Sequence, residues 1–151
     1  AFRLLKTQLQ TDMSNLGQQF NVRRPVVFFV TNGRPNDENW RDELNSLIDP
    51  DFFFRPHIVG IGVTGAEKSV VEDISHWEGV PGMKVFFMAE SGGNPGDAIV
   101  EFIKPVFQFV IVSARSRWPT RPFVVADNAV IQGRSTENRG VVRMHVVGGE
   151  S

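Results

Sequence analysis

The richest group of oxygen-bearing side chains in this sequence follows directly on an apolar run. Residues 26–30 are all valine or phenylalanine, and residues 31–39 are polar and turn-forming. Open α/β sheets hold ligands in loops at the carboxyl ends of their strands. The segment therefore predicts a metal or anion site, and the alternative is a turn with a helix cap built from the same residue types. The candidate oxygen donors for magnesium or calcium are Asn32, Asn36, Asp37, Glu38 and Asn39.

A second pattern imitates a dinucleotide-binding loop. Gly60, Gly62 and Gly65 have the G-x-G-x-x-G spacing, and Glu90 follows at the end of the next predicted strand. Against this interpretation, residues 58–63 have the composition of one unbroken strand, where glycines cannot form the turn that admits a pyrophosphate. We therefore expect the first two glycines to allow close packing, and we keep an NAD(P)-dependent enzyme as the alternative.

The remaining polar residues give little support for catalysis. His57, His76 and His145 lie far apart in the sequence and lack the spacing of a helical zinc site. No serine stands in a G-x-S-x-G elbow, and cysteine is absent, which excludes disulfides and thiolate chemistry. We expect the histidines to be structural and the protein not to be an enzyme.

Composition narrows the class of protein further. The 151 residues suit one globular domain, and the formal charge of -1 lacks the basic excess of a nucleic-acid-binding protein. Apolar runs fall short of the ~18 residues of a membrane-spanning helix, and no signal-peptide pattern is present. The sequence thus predicts a cytoplasmic protein that binds neither nucleic acid nor membrane.

Hydrophobic periodicity predicts strands that alternate with helices, and therefore an α/β fold with a doubly wound, mostly parallel, Rossmann-like sheet. The first strand is continuously apolar, which is typical of a central strand covered on both faces. After residue 118 the pattern changes to short β-type pieces at 123–126 and 141–147, which predict an antiparallel hairpin or an edge extension. The predicted strands are 26–30, 57–63 and 84–88, and the predicted helices are 2–20, 40–48, 66–76 and 97–115.

Four segments follow one another along the chain: the strand and loop of residues 24–37, the strand 56–63, the strand 84–88 and the helical segment 98–104. Their order and spacing resemble the later two-thirds of a von Willebrand factor type A (vWA) domain, of the bacterial group associated with tellurite resistance. The resemblance covers residues 1–117, and residues 118–151 form a β-rich extension to it.

The resemblance implies a protein-protein interaction module in bacterial stress response rather than an enzyme. Family members hold magnesium in a metal-ion-dependent adhesion site (MIDAS), and an acidic residue of the partner often completes the coordination. In this chain Asn32 stands where the family's third metal-binding loop has aspartate, with Thr31 and Asp37 as neighbouring candidates. The first two loops would precede Ala1. Because asparagine is neutral, we expect magnesium binding by this chain to be weak or absent, and a metal-free structural scaffold is a further alternative.

The resemblance also predicts a missing neighbour for the sheet. The family's central strand would precede Ala1, so strands 26–30 and 57–63 would lose partners and expose an apolar edge. We expect a complementing N-terminal segment or a second copy of the chain to cover it, and a partner protein to bind the loops 31–37 and 91–96.

Overall fold

The computed structural model describes residues 1–63, 65–78, 82–89, 130–131 and 142–147. Within these ranges the chain forms an α/β fold in which strands and helices alternate. The predicted helix at 97–115, the β-type piece at 123–126 and the loop 91–96 lie outside the described residues. The elements are α1 (Phe2–Gly17), β1 (Val26–Thr31), α2 (Trp40–Ile48), β2 (His57–Gly62), α3 (Lys68–Ile74), β3 (Lys84–Ala89), β4 (Val130–Ile131) and β5 (Val142–Val147).

The described strands form one sheet of five in the order β1-β2-β3-β5-β4. β1, β2 and β3 run parallel, and the β1–β2 register runs from Val26 opposite His57 to Thr31 opposite Gly62. β5 pairs antiparallel with β3, and β4 pairs antiparallel with β5. The predicted α/β class is confirmed, with a three-stranded parallel part flanked by helices, and the C-terminal segment Val142–Val147 extends the sheet antiparallel to β3.

The three helices α1, α2 and α3 cover one face of this sheet. Their buried side chains meet Ile58 of β2 in one cluster, with Val27 and Phe29 of β1 packed against it. Each helix contributes because apolar residues recur on one of its faces. The inward helical residues are Phe2 of α1, Trp40, Leu44 and Leu47 of α2, and Val70 and Ile74 of α3.

A second buried cluster lies on the opposite face of the sheet. Alternate residues of β2 and β3 build it, because successive side chains of a strand point to opposite faces. Trp77 and Met83, from the connection between α3 and β3, complete it. The strand residues of this cluster are Val59, Ile61, Val63, Val85 and Phe87.

Three expectations about exposure differ from the described structure. β1 lies at the end of the described sheet rather than at its centre, and the Val30 side chain is 52% exposed. β2 takes the central position in the parallel part of the sheet, so it does not present an edge. The apolar stripe of α1 also ends early, since Leu16 is 46% and Phe20 62% exposed.

No helix in the described ranges is long and apolar enough to cross a membrane.

Candidate functional site

The carboxyl end of β1 is closed by a short local turn. Thr31 is the last residue of the strand, and its side-chain oxygen accepts a hydrogen bond from the Gly33 N–H (3.4 Å). The same hydroxyl donates to the Gly33 carbonyl at 3.2 Å. The Thr31 hydroxyl is therefore used within the turn, while the Asn32 side chain that follows it is exposed.

Asp37 tightens the approach to α2. Its Oδ1 accepts a hydrogen bond from the Asn39 N–H at 2.9 Å, which is the geometry of an Asx turn. Asn39 occupies the N-cap position of α2 but makes no side-chain capping bond. The sequence-based alternative of a turn leading into a helix is thus what the structure shows for Asp37.

The loop after β1 contacts the loop after β2. The Arg34 Nε forms an ion pair with the Glu67 carboxylate across the two loops. Gly65 has φ of +89°, and a Cβ at this position would lie 3.2 Å from the Asn32 carbonyl oxygen. A glycine is needed here because other residues rarely adopt this conformation. Sequence reasoning missed the Arg34–Glu67 pair, since no motif links two residues in separate loops.

The candidate metal ligands Thr31, Asn32 and Asp37 lie in the turn after β1 and the approach to α2. Within the described ranges, no three His, Cys, Asp or Glu side chains are grouped so that they could hold a metal. Asn32 is neutral, and Thr31 and Asp37 already make local hydrogen bonds. Hard cations are held largely by carboxylate oxygens, and among these three residues only Asp37 carries a carboxylate. The assignment of Asn32, Thr31 and Asp37 to an incomplete metal site stays a prediction.

The first two glycines of the G-x-G-x-x-G pattern occupy packed positions in the sheet. Gly60 and Gly62 lie inside β2, as expected. A Cβ on Gly60 would lie 2.5 Å from the Ser75 Oγ and 2.7 Å from the Val71 carbonyl oxygen. A Cβ on Gly62 would lie 2.5 Å from the Met88 Sδ. Close packing accounts for both glycines, and Glu90, the other residue of the dinucleotide hypothesis, lies outside the described residues.

Ser75 explains why α3 approaches β2 so closely. Its hydroxyl donates to the Val71 carbonyl at 2.7 Å and accepts from the Gly60 N–H at 3.1 Å. The residue is 3% exposed, so these bonds satisfy a polar group inside the core. The end of α3 is thereby attached to the middle of β2.

The other end of the parallel strands carries a polar cluster, here called the amino-end cluster. The ring of His57, the first residue of β2, stacks on Trp77 with centroids 4.2 Å apart. Its Nδ1 accepts a hydrogen bond from the Glu78 N–H at 3.0 Å, which requires that nitrogen to be unprotonated. Burial, and then the nearby charge of Arg24, lower the pKa of His57 to about 4. The cluster comprises Arg24, Arg55, His57, His76, Trp77 and Glu78.

Glu78 connects the charged members of this cluster. Its Oε1 lies 2.9 Å from the Arg55 Nε, and its Oε2 lies 3.2 Å from the His76 Nε2. The Arg55 N–H is not aligned with the carboxylate, so this contact is an ion pair rather than a directed hydrogen bond. Burial raises the pKa of Glu78, but its contacts with Arg55 and His76 outweigh burial and lower it.

The structure therefore brings together two of the three histidines that looked isolated in the sequence. His76 bridges to β2 through paired backbone bonds with Ile58. His145 belongs elsewhere, stacked on Phe86 at 4.9 Å. The amino-end cluster holds the start of β2 to the segment after α3, at the opposite end of the strands from the Thr31 to Asp37 loop.

No protein-family model, no curated protein and no solved structure matches this chain. The geometry of its own residues is therefore the basis for the functional proposal.

Proposed function

We propose that this chain is a protein-protein interaction module of the vWA type that binds a partner through the loops at the carboxyl ends of β1 and β2. The observation that carries this proposal is the contact between those two loops, made by the Arg34–Glu67 ion pair and by Gly65 against Asn32. Two loops held together at the carboxyl edge of a parallel sheet provide one surface, where α/β folds commonly bind ligands.

The chemistry of this surface suits recognition of a polar partner. Asn32 and Asp37 are exposed, and Arg34 is 75% exposed although it is ion-paired. A partner could use the Asn32 amide, the free guanidinium nitrogens of Arg34 and the second oxygen of Asp37. Binding through these three groups requires no metal ion held by this chain. None of these residues is proposed to act in catalysis.

The proposal includes an incomplete metal site, at which a divalent cation would bridge this chain and its partner. A divalent ion between Asn32 and an acidic residue of the partner would need further ligands beyond those described here. The placement of the module in a bacterial cytoplasmic stress-response or tellurite-resistance system is supported by the resemblance of residues 1–117 and by no structural observation.

Ligand titration separates this proposal from its rivals. Thermal unfolding of residues 1–151 is recorded with magnesium and, separately, with NADH, because a ligand that binds only the folded state raises the melting temperature. We expect no saturable shift with either ligand. A saturable shift with NADH would favour the dinucleotide enzyme, and tight magnesium binding would contradict a metal-independent surface. Asn32→Asp serves as the matched variant, and its affinity for magnesium should rise only if the other ligands exist.

Site-specific photo-crosslinking tests partner binding at the surface itself. A photoreactive residue replaces Asn32 in one protein and the exposed Gln10 of α1 in the control. We expect Asn32 to capture a defined protein from cells of the source organism, with loss of that product when Arg34→Glu is added. Equal products from both positions, or products unaffected by Arg34→Glu, would refute the assignment of the surface.

A further inference from the structure

Within the described residues, no strand pairs with the outer edge of β1. On its inner side the Pro25 carbonyl accepts a hydrogen bond from the His57 N–H of β2, and the Thr31 carbonyl accepts one from the Val63 N–H just after β2, each at 2.9 Å. Backbone groups of a strand alternate in direction, so residues of the other parity direct their N–H and C=O away from β2. No described strand pairs with β1 on that side. The outward residues are Val26, Phe28 and Val30.

This edge lacks the features that usually prevent pairing. Natural edge strands are protected by charged side chains, proline or bulges, and β1 contains none of these between Val26 and Thr31. Val26 and Phe28 pack partly against the core, whereas Val30 is 52% exposed. The side chains along this edge are therefore apolar and either β-branched or aromatic, which are the types that favour strand pairing.

We propose that a second copy of this chain pairs with that edge, antiparallel and centred on Phe28. In this register Phe28 lies opposite Phe28 of the second copy, and Val26 lies opposite Val30. Residues 26, 28 and 30 are symmetric about Phe28, so in this register the outward N–H and C=O of one copy meet complementary groups of the other. The outward sequence Val-Phe-Val also reads the same in both directions. Such an interface is isologous, as a two-fold dimer requires.

The charges that flank β1 favour the same arrangement. Arg23 and Arg24 precede the strand, and Asp37 and Glu38 follow it a few residues beyond Arg34, whose charge is balanced by its ion pair with Glu67. Antiparallel pairing places the basic end of each copy beside the acidic end of the other, whereas parallel pairing would place like charges together. Opposite charges across an interface favour that partner and that register. This surface runs along the side of β1, so the inference is independent of partner binding at the loops.

Molar mass in solution tests the pairing. Light scattering on residues 1–151 is expected to give twice the chain mass of 16.9 kDa, and Val30→Lys is expected to reduce it to the chain mass. The matched control is Leu4→Lys, which makes the same change at a side chain 74% exposed on α1. Thermal unfolding confirms that both variants are folded. A monomeric wild-type chain, or equal dimerisation of Val30→Lys and wild type, would overturn the proposal.

Disulfide trapping tests the register and does not depend on the stability of Val30→Lys. The chain has no cysteine, so introduced thiols are the only ones present. A mixture of Val26→Cys and Val30→Cys proteins should form a mixed disulfide, because opposite residues in such a pair lie about 5.5 Å apart at Cα. Val30→Cys alone should not, because its two copies would lie about 14 Å apart. Efficient trapping of Val30→Cys with itself, or none in the mixture, would refute this register.

Discussion

His57 should make the stability of the fold depend on acidity, and His57→Asn should remove that dependence. The pKa of His57 is lowered from 6.5 to about 4 in the folded protein, first by burial and then by Arg24. In the unfolded chain the ring takes up a proton as the pH falls through 6.5, and in the folded chain only near 4. The stabilisation is therefore complete above pH 6.5 and is lost as the pH falls toward 4.

The magnitude follows from the pKa difference. One pKa unit corresponds to about 1.4 kcal/mol, so the full shift sets an upper limit of about 3.4 kcal/mol. The ring is only partly buried, and solvent screening reduces the expected loss to about 1.5–2 kcal/mol. Glu78, whose pKa is lowered from 4.5, loses its contribution only below that pH. Protonation of either group therefore lowers the free energy of unfolding in acid. Between pH 6.5 and pH 4.5 the loss comes from His57 and not from Glu78.

Urea unfolding followed by tryptophan fluorescence measures this dependence at several pH values between 6.5 and 4.5. Asparagine suits the substitution because its Oδ1 can replace the His57 Nδ1 as acceptor for the Glu78 N–H. The variant should be less stable at neutral pH, since it loses the stacking on Trp77, but its free energy of unfolding should change less with pH. Gln10→Asn, at an exposed position of α1, removes no titratable group; it is the control and should keep the wild-type dependence. The same slope in His57→Asn and wild type would refute the reasoning.

Two further substitutions test the packing, and chemical denaturation measures both. Gly60→Ala should destabilise the fold by about 1–3 kcal/mol, because its Cβ would overlap the Ser75 hydroxyl in a packed core. If Gly60→Ala is as stable as wild type, α3 does not approach β2 as closely as described. Leu47→Ala should cost about 2–5 kcal/mol because Leu47 is fully buried, whereas the exposed Leu4→Ala should cost less than about 0.5 kcal/mol. Equal losses for the two leucines would contradict the placement of α1 and α2.

Local sequence patterns predicted most of the elements in the described ranges. The apolar run at residues 26–30 became β1, and the helical spacing of Val70, Val71 and Ile74 became the buried face of α3. Such patterns succeed because a strand alternates its side chains every two residues and a helix every 3.6. They also placed Gly60 and Gly62 inside a strand. For the candidate site, they identified the loop that contains Asn32 but not its contact with the loop after β2.

The sequence by itself determined which residues could form strands, helices and turns, because those preferences depend on neighbours along the chain. Only the tertiary structure decided that β1 ends the described sheet while β2 lies inside it, that His57 and His76 approach each other, and that Arg34 meets Glu67. Strand order and contacts between loops depend on which distant segments pack together. An apolar strand has the same composition whether one side or both sides are paired, so its position in the sheet is not written in its residues.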